Sequence, residues 1–148
     1  MRFAQPAFLT RSAPYAGTVL RIAMGIVFIA HGMPKFDDVD GFGGFLTSLN
    51  VPLPELMKWV VPLLEVGGGI LLILGLATRL VAVLFALEMV GTILLVKMDA
   101  GLIGEGGTGA EIDLMLLAGA IALVLMGPGA AAVDRMIGLE PRLVNLPG

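Results

Sequence analysis

Residues 56–76 read LMKWVVPLLEVGGGILLILGL. Apart from Lys58 near one end and Glu65 in the middle, the stretch carries no charge. Crossing a hydrocarbon core of about 30 Å takes roughly 17–25 such residues as a helix, so this run reads as a membrane span. Working outward, Tyr15 to Met33 and Arg79 to Met98 are runs of the same kind. Ile112 to Met126 is shorter and reaches the length only with Glu111 and Asp113 at one end and Gly127-Pro128-Gly129 at the other. The expected fold is all-α: a membrane four-helix bundle in one domain, with spans at about 15–33, 56–76, 79–98 and 111–126.

Composition agrees with that choice. The 148 residues are 57% hydrophobic and 14% charged, with a mean hydropathy of +0.98. A soluble domain is about 45–50% apolar and about 25% charged. Nine basic residues against twelve acidic ones exclude a basic nucleic-acid surface. The chain has no cysteine, which rules out disulfides, thiolate catalysis, Cys-ligated zinc and protein-held iron–sulfur clusters. One histidine rules out a multi-His metal site within a single chain, so no metal is expected. The nine methionines are scattered and read as packing.

Helix boundaries are chemically marked. Gly32 and Pro34 are expected to end the first helix. Pro54 suits the first turn of the second. Thr78 can cap the third, and Thr108-Gly109-Ala110-Glu111 reads as a capping box for the fourth. Gly127-Pro128-Gly129 closes it, leaving a short amphipathic tail over 130–148. The first apolar run ends in His31-Gly32-Met33-Pro34, with no small-x-small cleavage site, and is expected to stay as an anchor.

Four spans place both termini on one side. On that topology all six arginines (Arg2, Arg11, Arg21, Arg79, Arg135, Arg142) lie with the termini. Lys35, Lys58, Lys97 and most acids, including Asp37, Asp38, Asp40, Glu55, Asp99, Glu105, Glu111 and Asp113, lie opposite. The positive-inside rule then puts both termini in the cytoplasm of a bacterial inner membrane, with Tyr15 and Trp59 near opposite interfaces.

Charges inside a bilayer cost about 2.5–3.5 kcal/mol each on insertion scales, so each needs a partner or a task. Glu65 and Glu88 each fall about 13 Å into their helices, near the midplane. The long side chain of Arg21 can reach toward that layer. The expectation is a buried polar cluster of Arg21, Glu65 and Glu88. One reading makes it an ion pair that fixes packing. The other makes it a functional centre, since two neighbouring carboxyls do not both ionise easily and can relay a proton or hydrogen-bond a quinone carbonyl. His31, Lys35, Glu111 and Asp113 form a second expected cluster at the outer end; Pro34 separates His31 from Lys35, so they are not read as one helical face. That cluster is either interfacial anchors or the mouth of an outward pocket. On helical wheels Arg21, Gly25, Phe28 and Gly32 share one face, and Glu65, Gly68, Gly69 and Leu72 another. The glycines there are read as close-packing positions.

The order of these pieces resembles the DoxX family of small membrane proteins. The matching stretches are Arg21-Ile22-Ala23-Met24-Gly25, His31-Gly32-Met33-Pro34-Lys35-Phe36, Gly41-Phe42 through Leu49-Asn50-Val51-Pro52, Leu64-Glu65-Val66-Gly67-Gly68-Gly69, Leu74-Gly75-Leu76-Ala77-Thr78-Arg79, and Gly127-Pro128-Gly129 with Asp134. The resemblance runs from about Leu20 to Gly138. It implies a four-helix membrane bundle and an association with redox systems, among them a thiosulfate:quinone oxidoreductase subunit, membrane oxidoreductase complexes and methylamine-oxidation maturation. Arg21, His31, Lys35, Glu65 and Arg79 are the positions it carries over; Glu88 comes from the residues alone. Without cysteine, persulfide chemistry on this chain is not expected.

The leading functional expectation is a small membrane subunit of a redox system that contacts quinone. It would be an accessory to an oxidoreductase rather than an enzyme alone, its polar cluster supplying hydrogen bonds and protons. No covalently bound cofactor is expected. Partners would be the lipid bilayer and other membrane or redox subunits, or a second copy. The alternatives are an assembly subunit of a larger membrane complex and, third, a small-solute transporter.

Overall fold

The computed structural model describes residues 12–98, 101–104 and 109–140. Arg2, Arg11, Asp99, Glu105, Thr108 and Arg142 lie outside them. Among the described residues all regular structure is helical. After a 3-10 turn at Ala13–Tyr15 come α1 (Ala16–Asp37), α2 (Val39–Ser48), α3 (Pro54–Leu74), α4 (Thr78–Leu95), α5 (Glu111–Met126) and the short α6 (Val133–Met136). Three segments are long and apolar enough to cross a membrane: Ala13–Asp37, Pro54–Leu74 and Thr78–Leu95. α5 has 16 residues, roughly 24 Å at 1.5 Å per residue, and packs chiefly on α4.

α1 corrects one expectation. It runs through Gly32 and Pro34 to Asp37. Proline's fixed φ suits a helix, and its cost is one missing N–H and a local clash rather than an obligatory stop. The fold also contains α2, where no element was expected. Its cap is Asp38, whose carboxylate accepts from the Gly41 N–H at 2.8 Å. Phe42, Phe45, Leu46 and Leu49 recur at helical spacing; three glycines in the same stretch obscured that period.

α3 begins with Pro54 at its first turn, as expected. Between Leu64 and Gly68 it widens into a π turn. Pro62 removes one helical hydrogen bond just before this point, and the following glycines resist the change least. The wheels hold in three dimensions: Arg21, Gly25, Phe28 and Gly32 are buried on α1, and Glu65, Gly68, Gly69 and Leu72 on α3. Gly25 and Gly69 face each other reciprocally. A Cβ on Gly25 would sit 2.6 Å from the Gly69 carbonyl oxygen, and one on Gly69 would sit 2.8 Å from that of Gly25. Gly68 makes room for the Phe85 ring in the same way.

The core is one apolar layer: Met24 and Phe28 of α1, Leu72 of α3, Val81, Ala82, Phe85 and Met89 of α4, and Ala120 and Leu123 of α5. Phe28 and Phe85 stack with parallel rings 3.5 Å apart. Outward-facing positions are equally apolar, with Val19, Leu80, Leu87 and Leu125 all more than half exposed. A surface like that is at home against lipid.

The α3–α4 turn carries Gly75 at φ 71° and Ala77 at φ 51°. The sequence suggested Thr78 as the cap of α4, but Thr78 is the first helical residue and no side chain at the N-cap position, Ala77, caps it. The cap comes from the tail: Asp134 accepts from the Ala77 N–H at 2.7 Å and the Thr78 N–H at 2.9 Å. A carboxylate at a helix N-terminus also meets the positive end of its dipole. α5 starts at Ala110 without a side-chain cap among the described residues.

Gly25→Val should lower thermal stability in detergent by about 1–3 kcal/mol through overpacking. Gly91→Ala, where a Cβ meets nothing within 4 Å, should leave it unchanged or slightly raised. Asp134→Ala should cost about 1–2 kcal/mol, the value of a lost helix cap.

Candidate functional site

The two expected polar clusters are rearranged in the structure. Glu65, Glu88, His31, Lys35 and Asp113 all line one cavity of about 540 Å³. Arg21 is not part of it. Along α1, Arg21 and Lys35 are separated by roughly 21 Å at 1.5 Å per residue, with the Phe28 layer between them.

Lys35 forms an ion pair with Glu65 Oε2. The close approach depends on Gly32, one turn earlier, where a Cβ would sit 2.8 Å from the Glu65 Cβ. The π turn of α3 contains Glu65, and such turns recur at functional sites. Glu65 is buried, while the Lys35 side chain keeps about a quarter of its surface exposed. Lys35 also lies 5.4 Å from the centre of the Phe42 ring, a cation–π contact from α2.

Glu88 enters from α4, within electrostatic reach of Glu65, Lys35 and Asp113. Its Oε2 is buried and receives no hydrogen bond from an N–H or hydroxyl group among the described residues, while its carboxyl is within hydrogen-bonding reach of the Glu65 carboxyl. An orphan buried carboxyl oxygen is expensive and marks a place where a ligand or proton belongs. His31 shares the cavity wall with Lys35, because α1 is unbroken at Pro34. Its Nδ1 lies 2.9 Å from the Val27 carbonyl oxygen. A carbonyl only accepts, so Nδ1 carries the proton and Nε2 is left for another partner. Glu111 is not among the lining residues; its Oε2 is buried beside Gly109.

Most of the remaining wall is apolar, with Phe28, Phe42, Phe45, Met57 and Met89 among its residues. Thr92 and Lys97 line the cavity as well and were not singled out in the sequence. Nor was α2, which contributes Phe42, Phe45 and Leu46. The signal for it was there in Asp38 as a cap and in the apolar spacing that follows. Among the described residues no group of three His, Cys, Asp or Glu side chains is placed to hold a metal ion.

Arg21 is buried at the opposite end, where it works on backbone. Nε donates to the Pro128 carbonyl at 2.9 Å and Nη1 to the Leu72 carbonyl at 2.7 Å; the Ile73 and Ala131 carbonyls are further acceptors. Asp134 is within electrostatic range. The guanidinium thus satisfies the open carbonyls at the end of α3 and ties them to the chain after α5. The expected contact between Arg21 and the buried carboxyls is therefore corrected: its three nitrogens donate to two carbonyls at the end of α3 and two in the chain after α5. Arg79 does similar work, donating to the Val124 and Leu125 carbonyls at the end of α5 while paired with Glu140.

A double-mutant cycle between Lys35→Met and Glu65→Gln should give a coupling of about 1–3 kcal/mol in detergent unfolding. The cycle between Arg21→Leu and Glu65→Gln should be additive within about 0.5 kcal/mol, since the two share no partner.

A family model described as DoxX matches residues 16–98. The chain is 38% identical to a Bacillus subtilis protein named "Putative oxidoreductase CatD" over 87% of its own length and 92% of that protein's. It is 34% identical to an uncharacterized membrane protein of Mycobacterium tuberculosis, over 89% of this chain and 87% of the other. It is also 34% identical to the inner membrane protein YphA of Escherichia coli, over 79% and 86%. No solved structure matches.

Proposed function

The chain belongs to the DoxX family of integral inner-membrane proteins, and from that premise we propose that it is an accessory membrane subunit of a quinone-linked redox system. The observation that carries the reading is the orphan Glu88 Oε2 in a cavity that also holds the Lys35–Glu65 pair. A volume of about 540 Å³ lies in the range of small-molecule sites, and so does a mostly apolar lining with a few convergent polar groups. The name of the Bacillus subtilis relative points in the same direction.

The donor set fits a quinone. Its ring faces would meet Phe28, Phe42 and Met89, and its oxygens would find Lys35 as donor and Glu88 as donor or acceptor. A quinone supplies, when bound, exchange of two electrons and two protons. The chain supplies position and protons: Glu65 holds the Lys35 ammonium in place, and Glu88, with no cation to itself, carries a proton at its free oxygen. The aromatic residues of α2 border the polar end of the cavity. The electrons, in this reading, come from a partner protein or a soluble cofactor. In this reading α5 is a fourth, shorter span, and both termini lie in the cytoplasm with the arginines.

Purification in mild detergent followed by mass spectrometry of extracted lipids should find quinone at a stoichiometric level. Glu88→Gln, which keeps the side chain's shape, should reduce quinone retention about tenfold, equivalent to 1.4 kcal/mol, while the protein still assembles in the membrane. Absence of quinone from the preparation, together with unchanged quinone-linked respiration in Glu88→Gln cells, would refute the assignment.

A further inference from the structure

We propose that the Glu65–Glu88 carboxyl pair exchanges protons with one side of the membrane only, the side bearing the lysines, and that Asp113 is the residue that passes them. The inference rests on reading that pair as the proton-handling centre, but it does not require a quinone to be bound.

Three observations place the route. The cavity runs from Phe28, Glu65 and Glu88 at its inner end to Leu53, Val96, Lys97 and Asp113. Leu53 is two-thirds exposed, so this end reaches the molecular surface. Asp113 stands in the first turn of α5, partly exposed, and lines the same cavity as Glu88. It is therefore a carboxyl between the surface and the orphan oxygen, on an element that contributes no other charged residue to the lining. A carboxyl that can take a proton at the surface and stand near a second one is the minimal relay.

The other direction is closed. Behind Glu65 and Glu88 lies the layer of Phe28, Phe85, Leu72, Ala82, Ala120 and Leu123, each at most 1% exposed. The parallel stack of Phe28 on Phe85 spans α1 and α4, and the Gly25–Gly69 contact brings α1 and α3 together with no room for a side chain, let alone water. Of the buried polar groups beyond this layer, Arg21 and Asp134 are occupied by backbone partners, and the third, the Thr78 hydroxyl at the start of α4, is no acid or base. A proton would have to cross an apolar layer with no group to hold it.

The charged and titratable groups facing the pair are Lys35 and His31 from α1, Lys97 just beyond α4 and Asp113 from α5; α2 presents only apolar side chains. His31 is the other candidate for proton entry, since it lines the same cavity; its Nδ1 is engaged at Val27, which leaves only Nε2 for a relay. The same experiment discriminates it through His31→Gln.

The test uses the full chain in vesicles of bacterial phospholipid with known orientation, with internal and external pH set independently. The infrared carboxylic-acid band of Glu88 is identified by its loss in Glu88→Gln. Its intensity should follow pH on the lysine side and ignore pH on the arginine side. Asp113→Asn should slow the response to a pH jump at least tenfold with unchanged helicity, and His31→Gln should not. Phe28→Ala with Phe85→Ala should make the band respond to both sides. A band that follows arginine-side pH in the native protein, or a response as fast in Asp113→Asn as in the native chain, overturns the proposal while leaving the carboxyl pair as a proton-handling site. A band absent at every pH overturns both.

Discussion

The structure depends on how closely α1 can approach α3. With a side chain at Gly25 or Gly69 the two backbones would have to separate, since each would drive a Cβ into the other's carbonyl oxygen. In lipid, where hydrophobic burial gives no advantage to helix pairing, such close packing is a main source of association. The same approach continues at Gly32, where Glu65 fills the space. Lys35 follows one turn later and meets the carboxylate. The ion pair is thus a consequence of a small-residue interface, and charge attraction alone would not have specified it.

This approach divides the protein into two ends with different chemistry. At one, Arg21 and Arg79 each satisfy the exposed carbonyls of a helix C-terminus, and Asp134 satisfies the N–H groups of a helix start. All three are long-range ties that close the bundle, and all three spend charged side chains on backbone. At the other end the charged side chains meet each other around a cavity, and the Glu88 Oε2 that lines it is left over, as is Glu111 Oε2 outside it. The apolar layer through Phe28 and Phe85 keeps the ends apart. Structural and chemical work are therefore carried by different residues, although Arg21 and Glu65 look alike in sequence as charges within apolar runs.

Much of this was legible beforehand. The three long spans, the inward faces at 21/25/28/32 and 65/68/69/72, and the packing role of the glycines all follow from periodicity, because a helix repeats its face every 3.6 residues whatever surrounds it. α2 was missed because glycines at 41, 43 and 44 lower helix propensity, while its apolar side chains gain from packing over the cavity. The helix end at Pro34 was misplaced because a proline is a local cost that neighbouring contacts can outweigh.

The amino-acid sequence by itself determined that the chain is an all-helical membrane protein, and which side chains face inward, since hydropathy and helical repeat are properties of each segment alone. Partnership was decided only by the tertiary structure. Depth along one helix says how far a charge lies from its end, but which charge stands opposite depends on the height at which the next helix packs. That height, set by glycine contacts between segments more than forty residues apart, gave Arg21 to the carbonyls of Leu72 and Pro128 and left Lys35 for Glu65.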